Sequence, residues 1–382
     1  MRGTSAVRAR PANVGWRHAA PRLPLPPAPV TQHTVAIQQV RLILQGARHQ
    51  GRPVAPLLQR AGIPPVLLDA PLARVSQQQY ALLIRVLRRQ LRDELWGLCS
   101  QPLPVGSFGH CASQLVRCQT LEEALRLGLR RYHGLLADFV PRLVVQGDTA
   151  RVQLLRRQPW NPRLDYAQKA FLLFAFGLAC WLVARRVPVL RVDYTETAPR
   201  SDSSRVYQAP IRPDQAHVGL HFEARWLELP VVQNPQSLRE FLAGSPANLL
   251  IKYRDAASMS ERIRRLLHRR LDAADLSLEA VGEAIALSPQ TLRRRLREEG
   301  HGFQALKDAL RRDAAIAHLA RPELTLPEIA QRLGFSEAST FPRAFKKWTG
   351  VAPGEYRLTR MAAATPSTGS PPAPAPATTG LP

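Results

Sequence analysis

The last third of this 382-residue chain carries one pattern of helix punctuation twice, and that repetition narrows its fold more than anything else in the sequence. Ser277 stands before an apolar-periodic run that ends at Ile285, and Ser288-Pro289 opens a second run to about Glu299. Serine at a cap followed by proline at the first helical position is a natural helix start, because proline's missing N–H falls where no partner exists. Downstream, Thr325-Leu-Pro-Glu328 has the spacing of a capping box and Gly334 can end that helix in a left-handed residue. Ser336 can cap a further helix running to Trp348. Each set reads as a helix, a tight turn and a helix. Between them Phe303, Leu306, Leu310, Ala314 and Ala317 form one stripe and predict a longer helix. Ser258-Met-Ser-Glu261 is a capping box before Ile263, Leu266, Leu267 and Leu271. The region 258–358 therefore reads as all-α, with seven helices.

Upstream the pattern changes. From about Thr34 to Phe139 the periodicity is helical, as in the run Leu121 to Leu129 behind Thr120, a natural N-cap. Short β-like runs follow at Arg142 to Val145, Ala150 to Leu155, Val187 to Tyr194 and His217 to Phe222, with an apolar helix near 166–184 between the second and third. Helices first and interrupted strands after them predict an α+β domain over 34–235. A helical stretch from Ser237 to Tyr253 then makes 236–257 a linker. Residues 1–33 are rich in proline and arginine, and 359–382 form an uncharged Pro/Ala/Thr/Gly tail; both are predicted to be disordered.

Composition sets outer bounds. The length suits two or three domains, and a hydrophobic fraction of 45% is enough to fill them. The net charge of +24 comes from 48 arginines and only 5 lysines against 29 acidic residues, and residues 251–382 contribute just +7 of it. Overall charge therefore does not mark the helical region as the part that meets nucleic acid. Cys99, Cys111, Cys118 and Cys180 include no C-x-x-C pair, which suits free thiols in a reducing cytoplasm. His110 beside Cys111, with Cys118 nearby, lacks a fourth ligand at the usual spacing, so no metal is expected. The start of the chain has arginines but no apolar run, unlike a secretory signal. The most apolar stretch, Phe171 to Ala184, falls short of the roughly 20 residues that span a bilayer and reads as a buried helix. Trp96, Tyr132, Phe171, Phe174 and Trp181 read as plain core or as pocket lining.

In a helix-turn-helix the second helix lies in the major groove of DNA, its apolar side against the first helix and its polar side toward bases and phosphates. In the first unit Leu292 and Leu296 should pack on Leu278, Val281 and Ile285, leaving Gln290, Arg293 and Arg294 outward. Arginine pairs bidentately with guanine and glutamine with adenine, so these three suit base reading, and Arg295 and Arg297 suit phosphate. In the second unit Phe341, Phe345 and Trp348 form the predicted buried stripe, with Ser339, Thr340 and Arg343 pointing away and Lys346 and Lys347 flanking toward the backbone. Double-stranded DNA is the expected partner, bound in a salt-sensitive way.

From Ser258 to Arg357, including Gly302-Phe-Gln-Ala-Leu306 and the closing Trp348-Thr-Gly-Val-Ala-Pro-Gly-Glu-Tyr-Arg357, the chain resembles the AraC/XylS family of bacterial transcription regulators. The resemblance implies an α+β N-terminal sensor domain followed by an all-α double helix-turn-helix DNA-binding domain, the two units joined by a long helix and entering successive major grooves. It places base-reading positions on Gln290, Arg293 and Arg294, and on Ala338, Ser339, Thr340 and Arg343. It further implies a non-enzymatic activator at the nucleoid without a cofactor, which binds a small effector of unknown identity, contacts RNA polymerase and pairs as a homodimer. Residues 103–109, 118–125 and 222–234 resemble one branch of the family whose N-terminal domain starts with helices. The arabinose-type jelly roll starts with strands, which argues against a cupin-like sugar pocket. One position departs from the family: Pro342. If Ser336 caps the second recognition helix, Pro342 removes a hydrogen bond at a cost of up to about 3 kcal/mol; if the helix starts near Ser339, the cost is small. Two rival readings stand beside this one: an AraC-like alkylation-repair protein with a reactive zinc-bound cysteine, and an effector-binding sensor whose DNA reader is impaired.

Overall fold

A computed structural model describes residues 34–196, 206–245, 259–268, 277–298 and 302–357. The predicted disordered ends, the cap at Ser258, Leu271 and residues 246–257 of the expected linker lie outside them.

The α+β part opens on a strand rather than a helix. β1 (Thr34–Ala36) pairs antiparallel with β2 (Arg74–Ser76), each three residues long. Their partners lie forty residues apart in sequence, so no local pattern announced the ribbon. Between the two strands lie α1 (Ile37–His49) and α2 (Val54–Arg60). α1 buries Ile37, Val40, Ile43, Leu44 and Ala47, the spacing of one helix face. Next come α3 (Gln77–Leu91), which starts at a Ser76–Gln79 capping box, α4 (Ser107–Leu115) and α5 (Leu121–Leu135). Thr120 Oγ1 accepts the Glu123 N–H at 3.3 Å, as expected of the cap of α5.

β3 (Phe139–Gln146) and β4 (Thr149–Arg156) form a hairpin whose turn places Gly147 at φ 54, a left-handed conformation that glycine adopts without cost. α6 (Pro162–Leu182) follows, with Asn161 accepting the Leu164 N–H and Pro162 at the first helical position. β5 (Arg191–Asp193), β6 (Ile211–Arg212) and β7 (Val218–Glu223) complete one open sheet in the order β3-β4-β7-β5-β6, antiparallel except for the β5–β6 pair. β5 is shorter than the run Val187 to Tyr194 because Pro188, near its start, has no N–H to give a ladder. The sheet's β3 and β7 pack against α5 and α6. Phe171 of α6 meets Tyr132 of α5 at 5.1 Å and Phe139 of β3 at 5.6 Å, both edge-on, which ties the three elements into one core. No described helix is long and apolar enough to cross a membrane.

α7 (Pro235–Ala243) begins two residues before the predicted Ser237, because Asn234 Oδ1 accepts the N–H groups of Gln236 and Ser237 and Pro235 takes the first helical position. The helical region comprises α8 (Met259–His268), α9 (Leu278–Ile285), α10 (Pro289–Glu298), α11 (Phe303–Leu319), α12 (Leu326–Arg332), α13 (Thr340–Thr349) and a last helix over 353–357 where the described residues end. α8 packs on α9, α10 and α11, and α11 packs on α12 and α13, so the first unit rests on α8 and the second on the long helix, which α8 also meets.

The two parts of the chain touch. Thr34 Oγ1 donates to Asp313 Oδ1 of α11 at 2.5 Å, and Asp313 is buried. Arg74 Nε donates to Thr34 Oγ1 at 2.7 Å, and Arg312 holds the same Asp313 oxygen at 3.1 Å. Tyr356 O–H reaches the Arg74 carbonyl at 3.2 Å. The β1–β2 ribbon is thereby fastened to the helix that joins the two units.

Candidate nucleic-acid interface

α9 is capped by Ser277, whose Oγ accepts the Ala280 N–H at 3.1 Å, and it buries Leu278, Val281 and Ile285. It ends at Ala286 with φ 55, and the Leu287 N–H then donates to the Gly282 carbonyl at 3.0 Å. A Cβ at Gly282 would stand 2.6 Å from the Leu287 carbonyl oxygen, so only glycine lets the turn close against the helix. Ser288 Oγ accepts the Thr291 N–H at 3.2 Å and starts α10. Leu292 and Leu296 are 0% and 1% exposed, which fixes the roll of α10 about its axis. That roll puts Gln290, Arg293 and Arg294 outward, and the i, i+3, i+4 spacing gathers them on one stripe. Arg297, seven residues after Gln290, continues the same exposed stripe instead of lying off it as the sequence reading had placed it, and Arg295 is exposed on a neighbouring line of the helix.

The second unit repeats the turn with other residues. Thr325 and Glu328 form the predicted capping box, Gly334 takes the left-handed position at φ 70, and the Phe335 N–H donates to the Ala330 carbonyl at 3.1 Å. Ser336 caps nothing among the described residues. Glu337 instead begins a tight turn, its carbonyl accepting the Thr340 N–H at 3.1 Å and the Thr340 hydroxyl at 2.7 Å. α13 therefore starts at Thr340, with Ser339 before it, and Pro342 is its third residue. The first turn of a helix has no intrahelical partner for its N–H groups, so Pro342 forfeits no bond there. This decides the alternatives left open by the sequence, and it removes the sign that pointed to an impaired reader.

The same start corrects the placement of two predicted positions. Ala338 and Ser339 sit in the turn before α13 rather than within the helix, both exposed. Ser339 Oγ leans toward Glu337 Oε2 at 3.5 Å. Arg343, Lys346 and Lys347 are exposed and share a stripe at i, i+3, i+4. Phe341 and Phe345 are 0% exposed, but Trp348 is only half-buried, lying over Phe335 at 6.1 Å rather than beneath the helix. Phe345 meets Tyr356 edge-on at 5.7 Å, which closes the second unit against the last helix.

Arg311 of α11 escaped the sequence reading. Its guanidinium donates to the Gly334 carbonyl at 3.0 Å and lies 5.0 Å from the centre of the Phe335 ring. It thus satisfies a carbonyl at the end of α12 and braces the turn before α13. Its partners are more than twenty residues downstream, so no spacing rule could have found it.

All four cysteines are buried, and burial pushes the thiols of Cys111 and Cys180 up to about 11. Among the described residues no group of three or more His, Cys, Asp or Glu side chains could hold a metal ion.

Comparison with known proteins gives matches over both parts. Residues 51–231 match the model of the arabinose-binding domain of AraC transcription regulators, N-terminal, and residues 281–359 match a helix-turn-helix domain. An ornithine utilization regulator from Pseudomonas aeruginosa is 26% identical over 87% of this chain and 98% of its own length. An uncharacterized HTH-type transcriptional regulator from Mycobacterium bovis is 28% identical over the same shares. The HTH-type regulator VirS from Mycobacterium tuberculosis is 40% identical, but over only 26% of this chain and 30% of its own. Among solved structures, the transcriptional regulator CdpR from Pseudomonas aeruginosa is 20% identical and covers 84% of this chain and 98% of its own, at a TM-score of 0.27, below the range that marks a shared fold.

Proposed function

Because this chain belongs to the AraC family of transcription regulators, and is itself a DNA-binding transcriptional regulator, we propose that it is an effector-responsive activator that reads its operator with the outward faces of α10 and α13. The reading rests on one observation above all: Gln290, Arg293 and Arg294 form an exposed stripe on α10 while Leu292 and Leu296 of the same helix are buried. Arg293 and Arg343 have no acidic partner among the described residues, so neither must break an ion pair to meet DNA. Gln290, Arg293 and Arg294 read bases in one major groove, and Ala338, Ser339, Thr340 and Arg343 read the next. Lys346 and Lys347 hold phosphates. Residues 34–235 bind the effector and pair two copies, 236–257 link, and 258–358 carry the DNA reader to a promoter in the cytoplasm, where RNA polymerase is engaged; no enzymatic step is involved.

Retardation of a duplex spanning the protein's own promoter at low salt tests this. Arg293→Ala and Arg343→Ala should each weaken binding by about 1–3 kcal/mol, with a loss that depends on operator sequence. Lys347→Ala should weaken all sequences alike and reduce the salt slope by about one. Unchanged binding in both arginine variants would remove α10 and α13 as the readers.

A further inference from the structure

α5 and α6 pack on one face of the five-stranded sheet, and the other face carries most of its charge. Side chains alternate across a strand, and the inward set, with Val152, Leu220 and Phe222, faces α5 and α6. The register then fixes what stands on the outer face. One row runs Arg142, Gln153, Gly219, Asp193 and Arg212 from β3 to β6. The next carries Val144, Arg151, His221 and Arg191.

The carboxylates on this face are already taken. Asp193 Oδ2 lies 2.6 Å from His221 Nε2, and Asp193 Oδ1 accepts from Arg191 Nε at 3.1 Å. Glu223, at the rim, accepts from Arg225 Nε at 2.7 Å. Arg142, Arg151 and Arg212 are left with no acidic partner among the described residues, Arg142 and Arg212 exposed and Arg151 half-buried. Neighbouring strands lie about 4.8 Å apart, so the backbones of Arg142 on β3 and Arg212 on β6 are roughly 19 Å apart, with Arg151 on β4 between them. Like charges kept on one surface repel, and an anionic partner turns that repulsion into attraction.

The rest of the chain narrows what supplies the anions. Residues 1–33 and 358–382 contain no Asp or Glu, so neither end can neutralise the face. A second copy would bring the same guanidiniums to a chain of net charge +24. Contacts from α11 to the sheet run through the β1–β2 ribbon, α1 and α6, so the arginines point away from the helical part that carries the DNA reader. A duplex held by α10 and α13 thus leaves this face free. Val144, partly buried, stands beside Arg142 and Arg151 and adds apolar surface, which suits a polypeptide better than a phosphate chain.

We propose that the outer face of this sheet docks an acidic protein segment, an extended stretch of about six residues whose carboxylates pair with Arg142, Arg151 and Arg212. Arginine suits the task because its planar fork meets a carboxylate through two parallel hydrogen bonds. Such docking needs neither the effector nor the DNA reader, so it goes beyond the function proposed above.

Hexaglutamate with a fluorophore at one end and a photoreactive benzophenone at the other tests this on the full chain at low ionic strength. Its cross-links should map to peptides of β3, β4 and β6. Reversing all three charges, Arg142→Glu with Arg151→Glu and Arg212→Glu, should weaken binding roughly tenfold or more. Reversing three exposed arginines elsewhere, Arg85, Arg89 and Arg130, changes the net charge equally and should cost less than about twofold. Arg142→Glu with Arg212→Glu alone spares the half-buried Arg151, and with it the fold, and should still cost about threefold. Triglutamate, too short to reach from β3 to β6, should bind roughly tenfold more weakly than hexaglutamate. Equal losses in the two triple variants, or cross-links confined to other elements, would overturn the proposal. So would displacement of the peptide from β3, β4 and β6 by a duplex of unrelated sequence, which would assign the face to phosphate instead.

Discussion

Ala286 and Gly334 occupy the same place in the two helix-turn-helix units, the left-handed residue that ends the first helix, at φ 55 and 70. One step earlier in the same hydrogen-bond pattern the small residues are exchanged: Gly282 accepts from Leu287, whereas Ala330 accepts from Phe335. The first unit keeps its glycine in the helix and tolerates alanine in the turn; the second does the reverse. The first recognition helix starts directly on a capping serine, Ser288, whereas the second spends a further turn at Glu337 before Thr340 begins it. One backbone route is thus reached by two local solutions, each with its weak point at a different residue.

The largest effects should come from the buried sides. Phe345→Ala, beneath Phe341 and Tyr356, should cost about 3–5 kcal/mol, and Leu296→Ala about 2–5 kcal/mol, in urea unfolding of the full chain. A loss below about 1 kcal/mol at Phe345 would mean that the aromatic cluster does not hold the second unit. Next, Gly282→Ala should destabilise by about 1–3 kcal/mol because the new Cβ meets a backbone oxygen that cannot swing aside. Ala330→Gly should lose only about 1 kcal/mol of helix propensity. Equal losses at the two sites would erase the contrast between the units. Smaller still, Ala286→Gly should stabilise by about 1 kcal/mol and Gly334→Ala should destabilise by about as much, read as opposite shifts of the unfolding midpoint. The smallest change is expected at Pro342→Ala, within about 0.5 kcal/mol, since the third helical residue has no N–H bond to gain. A gain of 2 kcal/mol or more there would place the start of α13 further upstream.

What the sequence made legible follows the reach of the interactions. Thr120, Ser277, Ser288 and the Thr325–Glu328 box cap as read because each cap is a hydrogen bond spanning three residues. The buried Leu292 and Leu296 were legible because helical periodicity is local too, and with them came the outward face of α10. The start of α13 was not, because two serines and a threonine within five positions offer competing caps and only the Glu337 turn chooses between them. The β1–β2 ribbon and the Arg311 brace were hidden for another reason: each is assembled from segments whose meeting depends on the rest of the fold.

The bond from Thr34 to Asp313 has a consequence for the order in which the molecule is made. Its two ends are 279 residues apart, so at a synthesis rate of roughly 5–20 residues per second about fifteen seconds to a minute separate the emergence of one from that of the other. Throughout that interval the Thr34 hydroxyl and the Arg74 guanidinium must wait beside a nascent chain that has no α11 to receive them. The fastening of the two halves is therefore among the last events of biosynthesis, and any product that stops short of Asp313 leaves the ribbon with an unclaimed polar edge, a mark by which incomplete chains differ from finished ones.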